Sequence, residues 1–248
     1  MAEALLTPLV PPPPRTGSML AVRDLNAWYD ESHVLQGMAF DVREGEVVTL
    51  LGRNGAGKTT TLRAIMGILP KRTGSVSFRG EELISRPPRV IARAGIAYCP
   101  EERGIFASLS VEENLMLPPA VRPGGLSRED VLAMFPNLRE RLGSQGTKLS
   151  GGEQQMLAIG RILRTGAKFL LLDEPTEGLA PVIVQQIGRT LVALKQQGFT
   201  IILVEQNFRF AASVADRHYI VEQGRVIDEI SNAALDDNID KLHAYLGV

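Results

Sequence analysis

The run Gly52-Arg53-Asn54-Gly55-Ala56-Gly57-Lys58-Thr59 matches the pattern G-x-x-x-x-G-K-[ST]. Residues 46–51 before it form a short, apolar, β-branched stretch that stops at a glycine, as a buried strand does. After it, Leu62, Ile65, Met66 and Leu69 recur at i, i+3, i+4 and i+7, one face of a helix. The order strand, glycine loop, helix constrains the chain more than any other feature. Three glycines let the backbone fold so that its N–H groups face inward, where Cβ atoms would hold it too far from a ligand. The helix start adds a positive dipole end, and Lys58 adds a cation. Thr59 offers a hydroxyl to Mg²⁺. Dense negative charge, as in a nucleoside triphosphate, is the ligand that such a loop suits.

Further along the chain, strands are expected near residues 20–28, 34–42, 75–78, 95–98, 168–172 and 200–204, with a hairpin around Gln223-Gly224. Helices are expected over 153–164, 182–197, closed by Gly198, and 208–215. Strands alternating with helices imply an α/β fold with a mostly parallel sheet. Between about residues 87 and 148 the pattern changes to short helical pieces punctuated by Pro87-Pro88, Pro118-Pro119 and Pro123-Gly124-Gly125, which reads as a helical insertion. One piece, 127–141, contains Pro136, which is expected to kink or end it. Residues 1–18 lack the basic start of a secretory signal and run into Pro11, Pro12, Pro13 and Pro14, so they are expected to form an extended, disordered tail before a domain over 19–248.

Composition removes several alternatives. The 27 basic residues against 28 acidic ones leave no basic excess to drive nonspecific nucleic-acid binding, and no nucleic-acid partner is expected. A single cysteine, Cys99, excludes an intrachain disulfide framework. No stretch approaches the roughly 20 apolar residues that span a bilayer.

The apolar run Phe169-Leu170-Leu171-Leu172 ends in Asp173-Glu174. Two acids after a buried strand are ordinarily surface residues or a helix cap. Downstream of a phosphate loop, Asp173 is instead placed to hold Mg²⁺, directly or through water, and Glu174 to polarise an attacking water.

The segment Leu149-Ser150-Gly151-Gly152-Glu153-Gln154-Gln155 lies between these two motifs. It resembles the LSGGQ-type signature of ATP-binding cassette (ABC) ATPases, and the resemblance covers roughly residues 19–230. It implies a P-loop ABC ATPase fold with a mostly parallel sheet, antiparallel N-terminal strands and a helical subdomain. It further implies ATP and Mg²⁺ as cofactors and a head-to-tail dimer in which each ATP lies between the phosphate loop of one subunit and the signature of the other. Carried over residue by residue, Tyr29 matches the aromatic that stacks on adenine. Gly52, Arg53, Asn54, Gly55, Ala56, Gly57, Lys58, Thr59 and Thr60 match the phosphate cradle, Asp173 the metal-side acid and Glu174 the general base. Ser150, Gly151 and Gly152 match the groups that reach the partner's γ-phosphate.

Three segments depart from the usual family pattern. In Tyr98-Cys99-Pro100-Glu101, Glu101 stands where a glutamine near Mg²⁺ is usual. In Val204-Glu205-Gln206-Asn207, Gln206 stands at the switch-histidine position. It is expected to order the attacking water, with capping of the next helix as the alternative. His33, His218 and His243 do not match that position and read as structural or surface residues. Glu177-Gly178-Leu179-Ala180 replaces the common S-A-L-D. Together these segments resemble the ATPase subunits of branched-chain amino-acid importers, and also urea-import and, more distantly, lipopolysaccharide-export ATPases. That resemblance implies a peripheral protein at the cytoplasmic face of the inner membrane, integral-membrane permease subunits, a second ABC ATPase subunit and, indirectly, an external solute-binding protein. The coupling surface is expected in the helical insertion, next to the loop carrying Glu101. A soluble ABC-type ATPase of DNA repair or translation is the rival reading. The chain lacks the long coiled coil of the first and the paired cassettes of the second.

Overall fold

The computed structural model describes residues 17–246. In chain order the elements are β1 (Ser18–Tyr29), β2 (Ser32–Arg43), β3 (Val47–Leu51), α1 (Lys58–Ile65), β4 (Arg72–Phe78), β5 (Glu81–Glu82), α2 (Pro88–Ala94) and β6 (Ile96–Cys99). Then follow α3 (Val111–Met116), α4 (Arg128–Met134), α5 (Pro136–Arg139), α6 (Gly151–Leu163), β7 (Phe169–Asp173), α7 (Pro181–Gln196) and β8 (Thr200–Glu205). The chain ends in α8 (Phe208–Val214), β9 (Arg217–Glu222), β10 (Arg225–Ser231) and α9 (Ile239–Leu246).

Two sheets organise these elements. The antiparallel one has the order β2-β1-β4-β5, and the larger one the order β10-β9-β3-β8-β7-β6. In the larger sheet β9, β3, β8, β7 and β6 run parallel, and β10 is an antiparallel edge. The strands β3, β7 and β8 are buried along their whole length, which is why they read as continuous apolar runs rather than alternating ones. Their side chains alternate between two cores. Ile202 and Val204 of β8 join Leu25, Leu35, Met38 and Leu62 between the two sheets, whereas Ile201 and Leu203 join Met156, Leu191 and Phe210 under α6, α7 and α8.

Some boundaries follow the sequence reading and others differ from it. Helix α1 stops at Ile65 because the chain turns at Gly67, yet Met66 and Leu69 stay buried beyond its end. The piece over 127–141 divides at Phe135. Ser127 and Asp130 form a capping box on α4, and Pro136 starts α5, where its missing N–H is not needed. The strand expected near 95–98 is β6, which lies within the mostly helical span 87–148 and pairs with β7 in the larger sheet. Ser18, read as part of the tail, opens β1 and donates from Oγ to Asp41 Oδ2 at 3.0 Å. The remainder of the tail, residues 1–16, lies outside the described residues. Among the described residues no helix is long and apolar enough to cross a membrane.

His218 is buried between Thr49 Oγ1 (2.7 Å) and Asn232 Oδ1 (2.9 Å), and burial holds its pKa below the ordinary histidine value. His33 stacks on Trp28 with ring centroids 4.4 Å apart. The side chain of His243 lies outside the described ones.

The two sheets are bracketed by one buried cation. Arg217 on β9 donates two parallel bonds to Glu46, Nε to Oε1 at 2.6 Å and Nη2 to Oε2 at 2.8 Å. Its Nη2 also reaches the Asp41 carbonyl on β2 at 3.0 Å, and Nη1 reaches Glu229 at 2.7 Å. The Tyr219 hydroxyl accepts from Nη1 and donates to the same Asp41 carbonyl. Deleting one partner of a buried pair leaves the other desolvated and unpaired. Arg217→Ala is therefore expected to destabilise the protein by about 3–5 kcal/mol, read from urea unfolding. A loss under about 1 kcal/mol, the range of an exposed pair, would contradict this role for Arg217.

Candidate nucleotide-binding site

The strand order puts the site where it is. β8 lies between β3 and β7, and the three are parallel, so their C-terminal ends form a row along one edge. Leu51 pairs with Glu205 and Val204 with Asp173. The phosphate loop leaves the end of β3, Gln206 the end of β8 and Glu174 the end of β7. In open α/β sheets ligands bind beyond such strand ends.

The loop is held by close contacts that side chains would block. A Cβ on Gly52 would lie 2.2 Å from the Val221 carbonyl oxygen. Gly57 caps α1 with φ +108, and no side chain caps the helix. No acid occupies the first turn either, so the first N–H groups of α1 are left for a ligand. The hairpin turn supports the loop from beneath, with Gly224 N donating to Ala56 O at 2.8 Å. Lys58 is 5% exposed and folds back, Nζ donating to Gly52 O at 2.8 Å and Arg53 O at 3.2 Å.

A cleft of about 450 Å³ opens over the loop. Of the expected binding residues, Asn54, Gly55, Gly57, Lys58, Thr59 and Thr60 line it, together with Glu101, Glu174 and Gln206. Gly52 and Ala56 shape the backbone behind this lining. Arg53 turns away, its Nε donating to Tyr245 O at the end of α9 at 3.2 Å. Tyr29 closes β1, partly exposed, and is not in the lining.

Beside the loop, Thr59 Oγ1 donates to Asp173 Oδ1 and the Tyr98 hydroxyl to Asp173 Oδ2, both at 2.9 Å. Gln206 Nε2 donates to Glu174 Oε2 at 2.6 Å, and Lys58 Nζ stands 3.7 Å from Glu174 Oε1. The amide of Gln206 thus faces the candidate base. Helix α8 is capped by the next residue, whose Oδ1 (Asn207) accepts from Phe210 N at 3.1 Å, so capping is not the work of Gln206.

Carboxyl groups crowd this edge. Burial pushes the pKa of Asp173 up against the hydrogen bonds from Tyr98 and Thr59. It pushes Glu174 up against its bond from Gln206, and nearby Glu177 adds to the rise. Glu101 is raised by burial and by the charges of Glu177 and Asp173. Glu205, buried behind the row, is pushed up to about 7. Such a surplus of negative charge over cation fits a divalent ion. Thr59 and Asp173 are hard oxygen donors already in contact, as Mg²⁺ prefers. Glu101 lines the same cleft without a hydrogen bond to either.

The signature residues stand apart. Ser150 caps α6 in a capping box, its N–H donating to Glu153 Oε2 at 2.7 Å and its Oγ accepting from Glu153 N at 3.3 Å. None of Ser150, Gly151 and Gly152 lines the cleft over Lys58. Added Cβ atoms on Gly151 and Gly152 would approach Leu179 at 3.5 Å and Ile183 at 2.9 Å, so the loop after Glu174 and the first turn of α7 pack on the signature turn of the same chain. Sequence reading missed two acids in this region, Glu177 in the cleft and Glu205 behind it. Both lie inside segments that departed from the family pattern, and those departures were the available signal.

Lys58→Ala removes the cation of the cleft and leaves Glu174 buried without it. Charged hydrogen bonds contribute about 1.5–3 kcal/mol each, so ATP affinity is expected to fall by about 10–100-fold in a fluorescent-nucleotide titration. Unchanged affinity would contradict the placement of phosphate at this loop.

The profile of the ABC transporter family matches residues 35–177. The chain is 42% identical over 238 residues to the high-affinity branched-chain amino acid transport ATP-binding protein BraG of Pseudomonas aeruginosa, covering 92% of this chain and 100% of that protein. It is 36% identical over 214 residues to the lipopolysaccharide export system ATP-binding protein LptB of Escherichia coli K12, covering 84% and 88%. Among solved structures, the ATP-binding cassette MJ0796, in a dimeric post-hydrolysis state bound to ADP and Pi, superposes with a TM-score of 0.77 at 24% identity, covering 86% of this chain and 99% of that one. A matching family profile over more than half of the sequence and a relative aligned along its whole length agree with the cleft, the strand order and the motifs: the chain belongs to the ABC transporter family, as one of its ATP-binding ATPases.

Proposed function

We propose that this ATPase powers a membrane importer for branched-chain or related amino acids. In this reading it works at the cytoplasmic face of the cell membrane with permease subunits and a second cassette, and an external solute-binding protein delivers the solute. The observation that carries the reading is the 42% identity to BraG along the whole of that protein. The likeness to LptB supports a second reading, an export ATPase. Gln206 favours import, since export ATPases of that kind usually keep a histidine there.

In the proposed cycle the triphosphate enters the cleft over Lys58, and Nζ exchanges the Gly52 and Arg53 carbonyls for phosphate oxygens. The open N–H groups of α1 take up the remaining phosphate charge. Thr59 and Asp173 would hold Mg²⁺, which supplies charge neutralisation there. Glu174 accepts the proton of the attacking water, and the raised pKa that burial gives it suits that task. Because a carboxylate only accepts, Gln206 turns its NH₂ toward Glu174 and keeps its carbonyl free to orient the water. Ser150, Gly151 and Gly152 would close the cleft of a second cassette, consistent with their distance from their own. The MJ0796 dimer shares this fold and supports such a pairing. Phe106, before α3, and Met116 and Leu117, at its end, are exposed apolar residues within the span 87–148, and such residues suit contact with a permease.

A strain lacking the gene for this chain is expected to lose most of its high-affinity uptake of labelled leucine, isoleucine and valine. The wild-type gene should restore uptake, and the Lys58→Ala gene should not. Undiminished uptake of all three would overturn the importer reading.

A further inference from the structure

Glu205 is a buried carboxyl group, 2% exposed, that no cation pairs with among the described residues. Burying an acid beside neutral donors alone is costly, and an apolar residue would fill the same space more cheaply. What the carboxyl group does there is to join two loops. Its Oε1 accepts from Thr176 Oγ1 at 2.8 Å and from Thr176 N at 3.3 Å, and its Oε2 accepts from Asn207 N at 3.4 Å. Thr176 lies two residues after Glu174, and Asn207 one residue after Gln206.

Side chains alternate along a strand, so Glu205 and Gln206 leave the end of β8 in opposite directions. Gln206 enters the cleft and meets Glu174, whereas Glu205 points inward and meets the loop that carries Glu174. The two contacts form a closed circuit, Glu174 to Gln206 in front and Thr176 to Glu205 behind. The front contact is a single exposed-side hydrogen bond that a water could replace. The rear one is buried and multiply bonded, and it extends the β7–β8 pairing, whose last bond runs from Glu174 N to Val204 O at 3.0 Å, into the two loops.

The geometry points to Glu205 as a positioning residue for hydrolysis, clamping the loop after β7 to the loop after β8 and so holding Glu174 and Gln206 in register. The inference rests on the reading of Glu174 as base and Gln206 as water-orienting partner.

The test uses the full chain with Mg²⁺ and ATP and compares Glu205→Ala, Glu205→Gln and Thr176→Val, with Glu174→Gln as control. A displacement of the reacting groups by about 1 Å costs roughly 100-fold in rate. Glu205→Ala is expected to lower kcat by about 10–100-fold while fluorescent-ATP affinity stays within about twofold. Glu205→Gln keeps an acceptor for both Thr176 bonds and loses only the long one to Asn207, so it is expected to retain kcat within about threefold. Thr176→Val should lower kcat less than Glu205→Ala, and the double variant should be no worse than Glu205→Ala alone. Wild-type turnover of Glu205→Ala, equal losses in the Ala and Gln variants, or parallel loss of kcat and ATP affinity would each overturn the clamp. Hydrolysis retained by Glu174→Gln would instead refute the base assignment on which the clamp depends. An inactive Glu174→Gln beside a fully active Glu205→Ala refutes the clamp alone.

Discussion

Lys58 is buried where the ends of β3, β8 and β7 meet, and the carboxyl groups around it outnumber it. That imbalance governs the rest of the site. Asp173, Glu174 and Glu101 are all pushed toward their protonated forms, first by burial and then by neighbouring acids, Glu102 beside Asp173 and Glu177 beside Glu174 and Glu101. The protein answers with neutral donors, Thr59 and Tyr98 on Asp173 and Gln206 on Glu174, and with Lys58 held near Glu174 by two backbone carbonyls. A triphosphate would take up the Lys58 cation and the open N–H groups of α1, and Mg²⁺ held by Thr59 and Asp173 would offset part of the negative charge it adds.

The strand order makes that crowding unavoidable. With β8 between β3 and β7, Gln206 has the phosphate loop on one side and Glu174 on the other. The antiparallel sheet stabilises the arrangement at a distance, through Arg217 and through Gly224, whose turn meets both β2 and the phosphate loop. The signature glycines belong to a different surface. They pack against Leu179 and Ile183, which follow Glu174 in the chain, so each cassette links its own base to the turn proposed to serve its partner.

Much of this was legible in the sequence, for physical reasons. The loop from Gly52 to Thr59 needs glycine where the backbone approaches Val221 and where φ is positive, and those demands leave a mark in residue identity. The central strands are mostly apolar because both faces are covered. Other features left no such mark. Glu205 reads as one more polar residue at a strand end, because its partners Thr176 and Asn207 come together only through the β7–β8 pairing. Arg217 follows Asp216 in the sequence, and its partners Glu46, Asp41 and Glu229 lie elsewhere along the chain. The split at Phe135 followed from Pro136, whereas the early end of α1 did not follow from its apolar spacing, since Met66 and Leu69 are buried without being helical. Glu101 was placed near the metal by resemblance, and the structure puts it in the cleft but not in contact with Thr59 or Asp173.

The central claim is that the cleft over Lys58 is half of a composite ATP site, with Glu174 as the group that ends the ATP-bound state. The most direct measurement is sedimentation velocity of purified Glu174→Gln protein with and without Mg²⁺ and ATP. Glutamine matches the shape of glutamate but cannot take the proton from water, so ATP should bind, persist and accumulate a dimer that ADP does not support. A protein that binds ATP by titration yet sediments as a monomer in both conditions, or that hydrolyses ATP at the wild-type rate, would contradict the account.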